Sequence, residues 1–182
     1  SIYVRFPLVS PDLKKRFPAI AGRKVSILIW TTTPWTLPAN LAIAFHPDYA
    51  YDLVDLGPEV LIMASKRVGE VARACDFKVA GSLGTLPGSE LVNLGHSLRP
   101  YPQRGRSDSI LILGEHVTLD QGTGCVHTAP GHGAEDFELG VRNGLPPYAP
   151  VSDEGRFVAD AFYCEGAYGP ALAGKRGGGA NA

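Results

Sequence analysis

Cysteine is scarce and badly placed for metal or disulfide chemistry. The 182 residues hold three (Cys75, Cys125, Cys164), far apart, with no CxxC pair. That argues against a zinc ribbon and a disulfide framework, and it suits a reducing cytosol. Long apolar runs are missing too. None approaches the roughly 18 residues that a membrane-spanning helix needs, and no signal-peptide pattern opens the chain. Positive charge is not in excess: 17 Lys and Arg face 18 Asp and Glu, a formal net charge of −1. Such a chain has no global basic field for nucleic acid, so any contact with a polyanion must be local. The candidates are 14-KKR-16 and 99-RPYPQRGR-106; the alternative for both is a solvated loop. Neither GxxxxGK[ST] nor GxSxG occurs, and no cysteine has a histidine at a recognised spacing. This excludes a phosphate-binding P-loop and gives nucleophilic catalysis little support.

Glycine (22) and proline (15) are plentiful, about a fifth of the chain. They favour many turns and short strands. Residues 2–6 alternate as a strand, with Ile2, Val4 and Phe6 on one face. Residues 25–31 and 41–45 are apolar runs of strand length. The segments 50–56 and 59–65 flank 57-GP-58 as a hairpin. A helix is expected over about 66–75, with Val68, Val71, Ala72 and Cys75 on one face and Ser65 as N-cap. Strands follow at 109–114 and 123–130. A second helix runs from near Ala134 to Gly144, with Phe137 and Val141 on one face. Seven or more short strands against two clear helices predict a mainly β, α+β domain with a barrel-like antiparallel sheet. The chain opens inside a strand pattern, as expected of a segment from a longer protein. We expect one domain over 1–173 and a flexible tail over 174–182.

Two segments exceed what a core requires. In 30-WTTTPWTLPAN-40 an apolar strand ends in hydroxyls, and Pro34 and Pro38 lock the turn after it. In 122-GTGCVHTAPGHGAEDFELG-140, glycines at 122, 124, 131 and 133 leave backbone bare for the close approach of another molecule. Asp136 lies in the first turn of the following helix, where the dipole favours an ionised carboxylate. It is either a helix-start residue bound to free N–H groups or a fixed anion suited to an ammonium group. His127, taken alone, reads as a hydrogen-bonded core residue. His127, His132 and Asp136 could also be the ligands of a metal-dependent hydrolase, although Pro130 and Gly131 lie between the two histidines and no further ligand is obvious. A pocket of hydroxyls, one carboxylate and exposed backbone can hold an aminoacyl ester and a water.

WTTTPWTLPAN together with GTGxVHxAPGHGxxDF resembles the editing domain inserted in class I isoleucyl-tRNA synthetases, over Ser1 to about Tyr168. Leucyl and valyl relatives spell the first motif in TTRPDT-like and RPET-like ways. The resemblance implies hydrolysis of the ester in misacylated Val-tRNA(Ile), within a parent that joins isoleucine to tRNA(Ile) with ATP. Thr31, Thr32 and Thr33 are then expected to serve ester, terminal adenosine and water, with Thr32 facing opposite to the other two if the strand continues. Trp35 is expected to pack, with Thr36, Asn40 and His132 contacting substrate. Asp136 is expected to bind the α-ammonium, and His127 to shape the side-chain end of the pocket. The resemblance implies no cofactor or metal in this domain, a monomer in the cytoplasm, and no membrane contact. Its partners would be the aminoacylated 3′ end of tRNA(Ile), the misattached valine and the rest of the synthetase. The alternative is a non-catalytic module that binds the tRNA acceptor end.

Overall fold

The computed structural model describes residues 1–103 and 106–157. Nine strands form its frame: β1 (Ile2–Val9), β2 (Lys24–Thr31), β3 (Ala42–Phe45), β4 (Ala50–Asp55), β5 (Glu59–Ala64), β6 (Gly81–Pro87), β7 (His96–Gln103), β8 (Arg106–Leu113) and β9 (Cys125–Thr128). Four short helices accompany them: α1 (Pro11–Arg16), α2 (Val68–Ala74), α3 (Gly88–Leu91) and α4 (Ala134–Arg142). The expected tail, 174–182, and Cys164 lie outside the described residues.

The order across the sheet is β6-β4-β5-β2-β1-β7-β8-β3-β9. β2 and β5 sit inside it and read as near-continuous apolar runs because both faces are covered. Ile27, Ile29, Val60 and Ile62 face the main core, while Leu28, Leu61 and Met63 face a second cluster. Val71 of α2 closes that second cluster. A third cluster forms where Leu139 of α4 and Leu145 pack on Leu41, Ala44 and Ile112. β1 joins the halves of the sheet. Its residues 2–7 pair with β2, and Leu8 and Val9 pair with β7.

Several expectations need correction. The sheet is mixed, since β2 pairs with β5, and β3 with β8, in parallel. It is also open rather than barrel-like. β6 and β9 are its two edges among the described residues. Closure requires paired edges. β9 has only four residues, and Pro130 beyond it has no N–H to extend a ladder. The sheet nevertheless curls, so that the Ala64 N–H at the end of β5 donates to the Thr123 carbonyl at 2.8 Å. Ser65 is not a helix cap. Its hydroxyl donates to Asp52 Oδ1 at 2.8 Å, and the chain enters α2 through a 3-10 turn over Ser65–Arg67. Phe137 and Val141 do share a face of α4, but it is the exposed one; Leu139 and Gly140 point inward. Arg99 is not a surface cation. It is buried, and its Nη2 donates to the Pro38 carbonyl at 2.8 Å. Residues 104 and 105 of that same stretch lie outside the described residues.

Candidate active site

The end of β2, the 3-10 turn Pro34–Ala39, the loop before β9, β9 itself and the first turn of α4 enclose a cleft of about 350 Å³. Both segments singled out in the sequence border it. β9 is held against β3 in the register Ile43↔His127, which fixes where the histidine points. The buried Tyr51 anchors the start of β9. Its hydroxyl donates to the Gly124 carbonyl at 2.8 Å and accepts the His46 N–H at 2.9 Å.

His127 is buried and held at both ring nitrogens. Asn40 Nδ2 lies 2.9 Å from Nδ1 and 2.8 Å from the Ala42 carbonyl. An atom facing a carbonyl must be the amide nitrogen, so it donates to both. Nδ1 is therefore an acceptor, and the proton sits on Nε2. Nε2 donates to Thr36 Oγ1 at 2.9 Å, and that hydroxyl donates to the Thr33 carbonyl at 2.9 Å. Each donor in this chain has one acceptor. A charged imidazolium would break it, because Asn40 would then face an N–H. Consistent with this, the His127 pKa is pushed down to about 4, first by burial and then by His132 and Arg99. With both nitrogens engaged, His127 has none left for a metal. Among the described residues no three His, Cys, Asp or Glu side chains form a group that could hold an ion.

Asp136 does not cap its own helix, which starts at Gly133 without a side-chain cap. Its Oδ2 instead accepts the Ala129 N–H at 2.8 Å, tying the helix to the end of β9. Burial raises the pKa of this carboxyl above the ordinary value; the Ala129 bond, His116 and His132 oppose the rise. His132 sits in the turn, with its N–H donating to the Ala129 carbonyl at 2.9 Å. Burial lowers its pKa, and Asp136 opposes this.

The three threonines do not alternate. β2 ends at Thr31 and the chain bends at Thr32, so all three border the cleft. Thr31 Oγ1 accepts the Thr33 N–H at 3.1 Å and lies 3.3 Å from the Thr33 hydroxyl. Trp35 is partly covered, 39% exposed, and is not among the residues that line the cleft. Asn40 is fully buried and also outside the cleft lining, so its reach to the cleft is through His127. Three of the four glycines are required by the fold itself, and Gly122 and Gly124 also line the cleft. Gly124 has φ +73 and a Cβ there would lie 2.5 Å from Ala64 Cβ; Gly122 has φ +69 under Trp30. A Cβ at Gly131 would meet the Tyr148 carbonyl at 2.2 Å, whereas at Gly133 it would meet only Asp136 Cβ, at an ordinary 3.9 Å.

The sequence reading passed over Trp30, His116, Thr118, Gln121 and Thr123, all of which line the cleft. Four come from 116–123, a polar stretch that reads as a plain connection. Its signal was composition: His, Thr and Gln just before Gly-Thr-Gly. Arg67 holds this loop, with Nε donating to the Gly122 carbonyl at 3.0 Å and Nη1 to that of Leu119 at 3.1 Å.

No protein-family model matches the chain. Curated relatives do. Isoleucine–tRNA ligase of Moorella thermoacetica is 50% identical over 160 residues, 88% of this chain and 16% of that protein. Isoleucine–tRNA ligase of Bacillus subtilis is 46% identical over 168 residues, 92% of this chain and 17% of that protein. The chain corresponds to one segment of the isoleucine–tRNA ligases. It spans about a sixth of their length. Its fold is that of the editing domain of these class I synthetases. The leucyl-tRNA synthetase domain GlLeuRS-CP1 superposes with a TM-score of 0.62 at 19% identity, covering 82% of this chain and 70% of that one. The editing domain of P. knowlesi cytosolic leucyl-tRNA synthetase gives 0.60 at 14% identity, covering 78% and 61%. At these identities the likeness to the leucyl domains is one of fold. The likeness to the isoleucyl-tRNA synthetase segment is one of sequence.

Proposed function

We propose that the chain is the editing hydrolase of an isoleucyl-tRNA synthetase and cleaves the ester of misacylated Val-tRNA(Ile). The observation that carries this reading is the pairing of a stiff neutral wall, His127, with a carboxylate, Asp136, across a cleft rimmed by hydroxyls. A synthetic site discriminates against an amino acid one methylene smaller by only about 1–3 kcal/mol, so a second site must remove the error; isoleucine against valine is the standard illustration of that limit. The remainder of the synthetase supplies ligation, and the 3′ end of tRNA(Ile) brings the ester.

In this reading Asp136 takes the α-ammonium of the misattached valine. The valine side chain points at His127, which leaves room for it and collides with the extra methylene of isoleucine. Rejection of a larger apolar group needs such a repulsive wall, since attraction favours the larger group. Water attacks the ester carbonyl carbon, the carbon–oxygen bond to the terminal ribose breaks, and the ribose oxygen takes a proton as valine leaves. Hydroxyls of Thr31 to Thr33 and cleft N–H groups stabilise the negative charge that develops on the carbonyl oxygen. A free hydroxyl of that ribose assists the water, because His127 has no free nitrogen with which to act as base. The test is ester loss from Val-tRNA(Ile) and Ile-tRNA(Ile) incubated with the full chain. Faster loss of valine supports the reading. Equal rates, or no loss of either with tRNA bound, overturn it in favour of a binding module.

A further inference from the structure

The cleft holds two more imidazoles. His116 follows β8 in a turn where the Val117 N–H donates to the Gly114 carbonyl at 3.3 Å. Its ring lies over Gly114 so closely that a Cβ there would stand 2.5 Å from Cε1 and 2.7 Å from Nδ1. The fold has thus reserved space for this ring. His132 approaches from the turn after β9. Both rings line the cleft with Asp136, and the charge on that carboxyl is coupled to each of them. In each ring Nε2 is buried and makes no hydrogen bond. Buried polar atoms are nearly always paired, so two such atoms flanking one carboxylate call for a shared explanation.

Donor counting supplies it. A primary ammonium has three N–H bonds that diverge tetrahedrally, so one oxygen serves one of them well. Asp136 Oδ2 spends one lone pair on the Ala129 N–H, so the carboxylate meets an incoming ammonium mainly through Oδ1. The N–H bonds that point away from the carboxylate need acceptors elsewhere in the cleft. Resting on the function proposed above, we propose that His116 and His132 complete an ammonium cradle around Asp136, their Nε2 atoms accepting the N–H bonds that point away from the carboxylate. A neutral imidazole can accept there, and an imidazolium cannot. Burial keeps His132 toward the neutral form. The χ2 torsion of histidine is broad, so a modest ring rotation turns each nitrogen toward the cleft. The cradle recognises an amine as such, apart from the side chain that His127 measures.

The experiment compares two stable adenosine amides on the full chain. One is 3′-deoxy-3′-(L-valylamino)adenosine; the other carries a hydroxyl in place of the α-amine. Calorimetry gives the ratio of their Kd values. Wild type should prefer the amine, and His116→Ala and His132→Ala should each lower the preference by about tenfold. His116→Gln and His132→Gln, whose amide oxygen accepts, should recover part of it and serve where an alanine variant fails to fold. A ratio equal to wild type in the variants, whether or not both ligands weaken together, overturns the cradle. Loss of Val-tRNA(Ile) ester is followed in parallel on wild type. If the amine preference behaves as stated but no ester is cleaved, the hydrolase reading fails and the cradle stands.

Discussion

The two walls of the cleft treat their polar atoms in opposite ways. On the wall built from residues 31–40 and His127, the groups that face the cleft bond to one another, and the one acceptor left over there, Asn40 Oδ1, is buried outside the cleft lining. Asn40, His127, Thr36 and the Thr33 carbonyl form an unbroken chain of donors and acceptors, and Thr31 takes the Thr33 N–H. On the wall built from His116, His132 and Asp136, acceptors are left over. A wall that is closed on itself is stiff and offers a ligand mainly shape. A wall with unspent acceptors offers charge and hydrogen bonds. In the editing reading the first wall decides which side chain fits, and the second grips what all amino acids share.

The largest expected effect is on the gripping wall. Asp136→Asn keeps an oxygen for the Ala129 N–H and removes the charge, so ester loss from Val-tRNA(Ile) should fall by about a hundredfold or more, equal to about 2.7 kcal/mol. The thermal midpoint should stay within a few degrees. Retained activity would remove Asp136 from the grip, and a collapse of stability would make it structural. Asp136→Ala should lose the same activity and, by orphaning the Ala129 N–H, cost a further ~1–3 kcal/mol of stability.

The next effect belongs to the measuring wall. His127→Ala should let Ile-tRNA(Ile) be hydrolysed, shifting the ratio of the two deacylation rates by about tenfold, while valine removal falls less than in Asp136→Asn. If both rates drop together, the histidine is catalytic or structural and the contrast between the walls fails.

Titration sharpens the same contrast. The folded-state pKa of His127, about 4, is below the ordinary 6.5. The unfolded chain therefore binds the extra proton first. The stability this contributes is fully present above the unfolded value and is lost as pH falls from about 6.5 through 4. A shift of that size corresponds to roughly 3 kcal/mol at most. His132 shifts in the same direction. Asp136 opposes them at lower pH, because its raised pKa makes the folded state the stronger proton binder. Denaturant midpoints between pH 7 and 4 should show a decline that is smaller in His127→Gln. A profile identical in the two proteins would mean that the chain tolerates a charged His127.

The smallest effects are expected away from both walls. Phe137→Ser and Trp35→Ala change exposed side chains outside the cleft. Each should cost no more than about 1–2 kcal/mol of stability, from the half of the side chain that is covered, and leave the ratio of deacylation rates unchanged. A changed ratio in Trp35→Ala would return that residue to the substrate-binding role its motif implied.

Much of this was legible before the fold was known. Period-2 alternation and apolar runs marked β1 to β5, because strand burial is written locally in the order of residue types. The Thr-rich and Gly-rich segments marked the cleft, since neither composition suits a core. Orientation was harder to read. Thr32 left its expected face because the strand stopped one residue earlier. Phe137 and Val141 kept their helical spacing, yet the sheet received the opposite side of α4. Spacing places residues on a common face, while only the neighbouring element decides which face is inner.

By itself the sequence determined the strand-rich composition, the rigid turn of Pro34 and Pro38, and the residue types at the cleft. These are properties of short windows. The tertiary structure decided that the sheet stays open and that Asn40 holds His127 from outside the cleft lining. It also decided that Asp136 serves Ala129 instead of its own helix, and that His116 joins a site 20 positions away. Each of these depends on register between segments far apart in the chain. Register is set by the packing of all nine strands at once, and no window of sequence contains it.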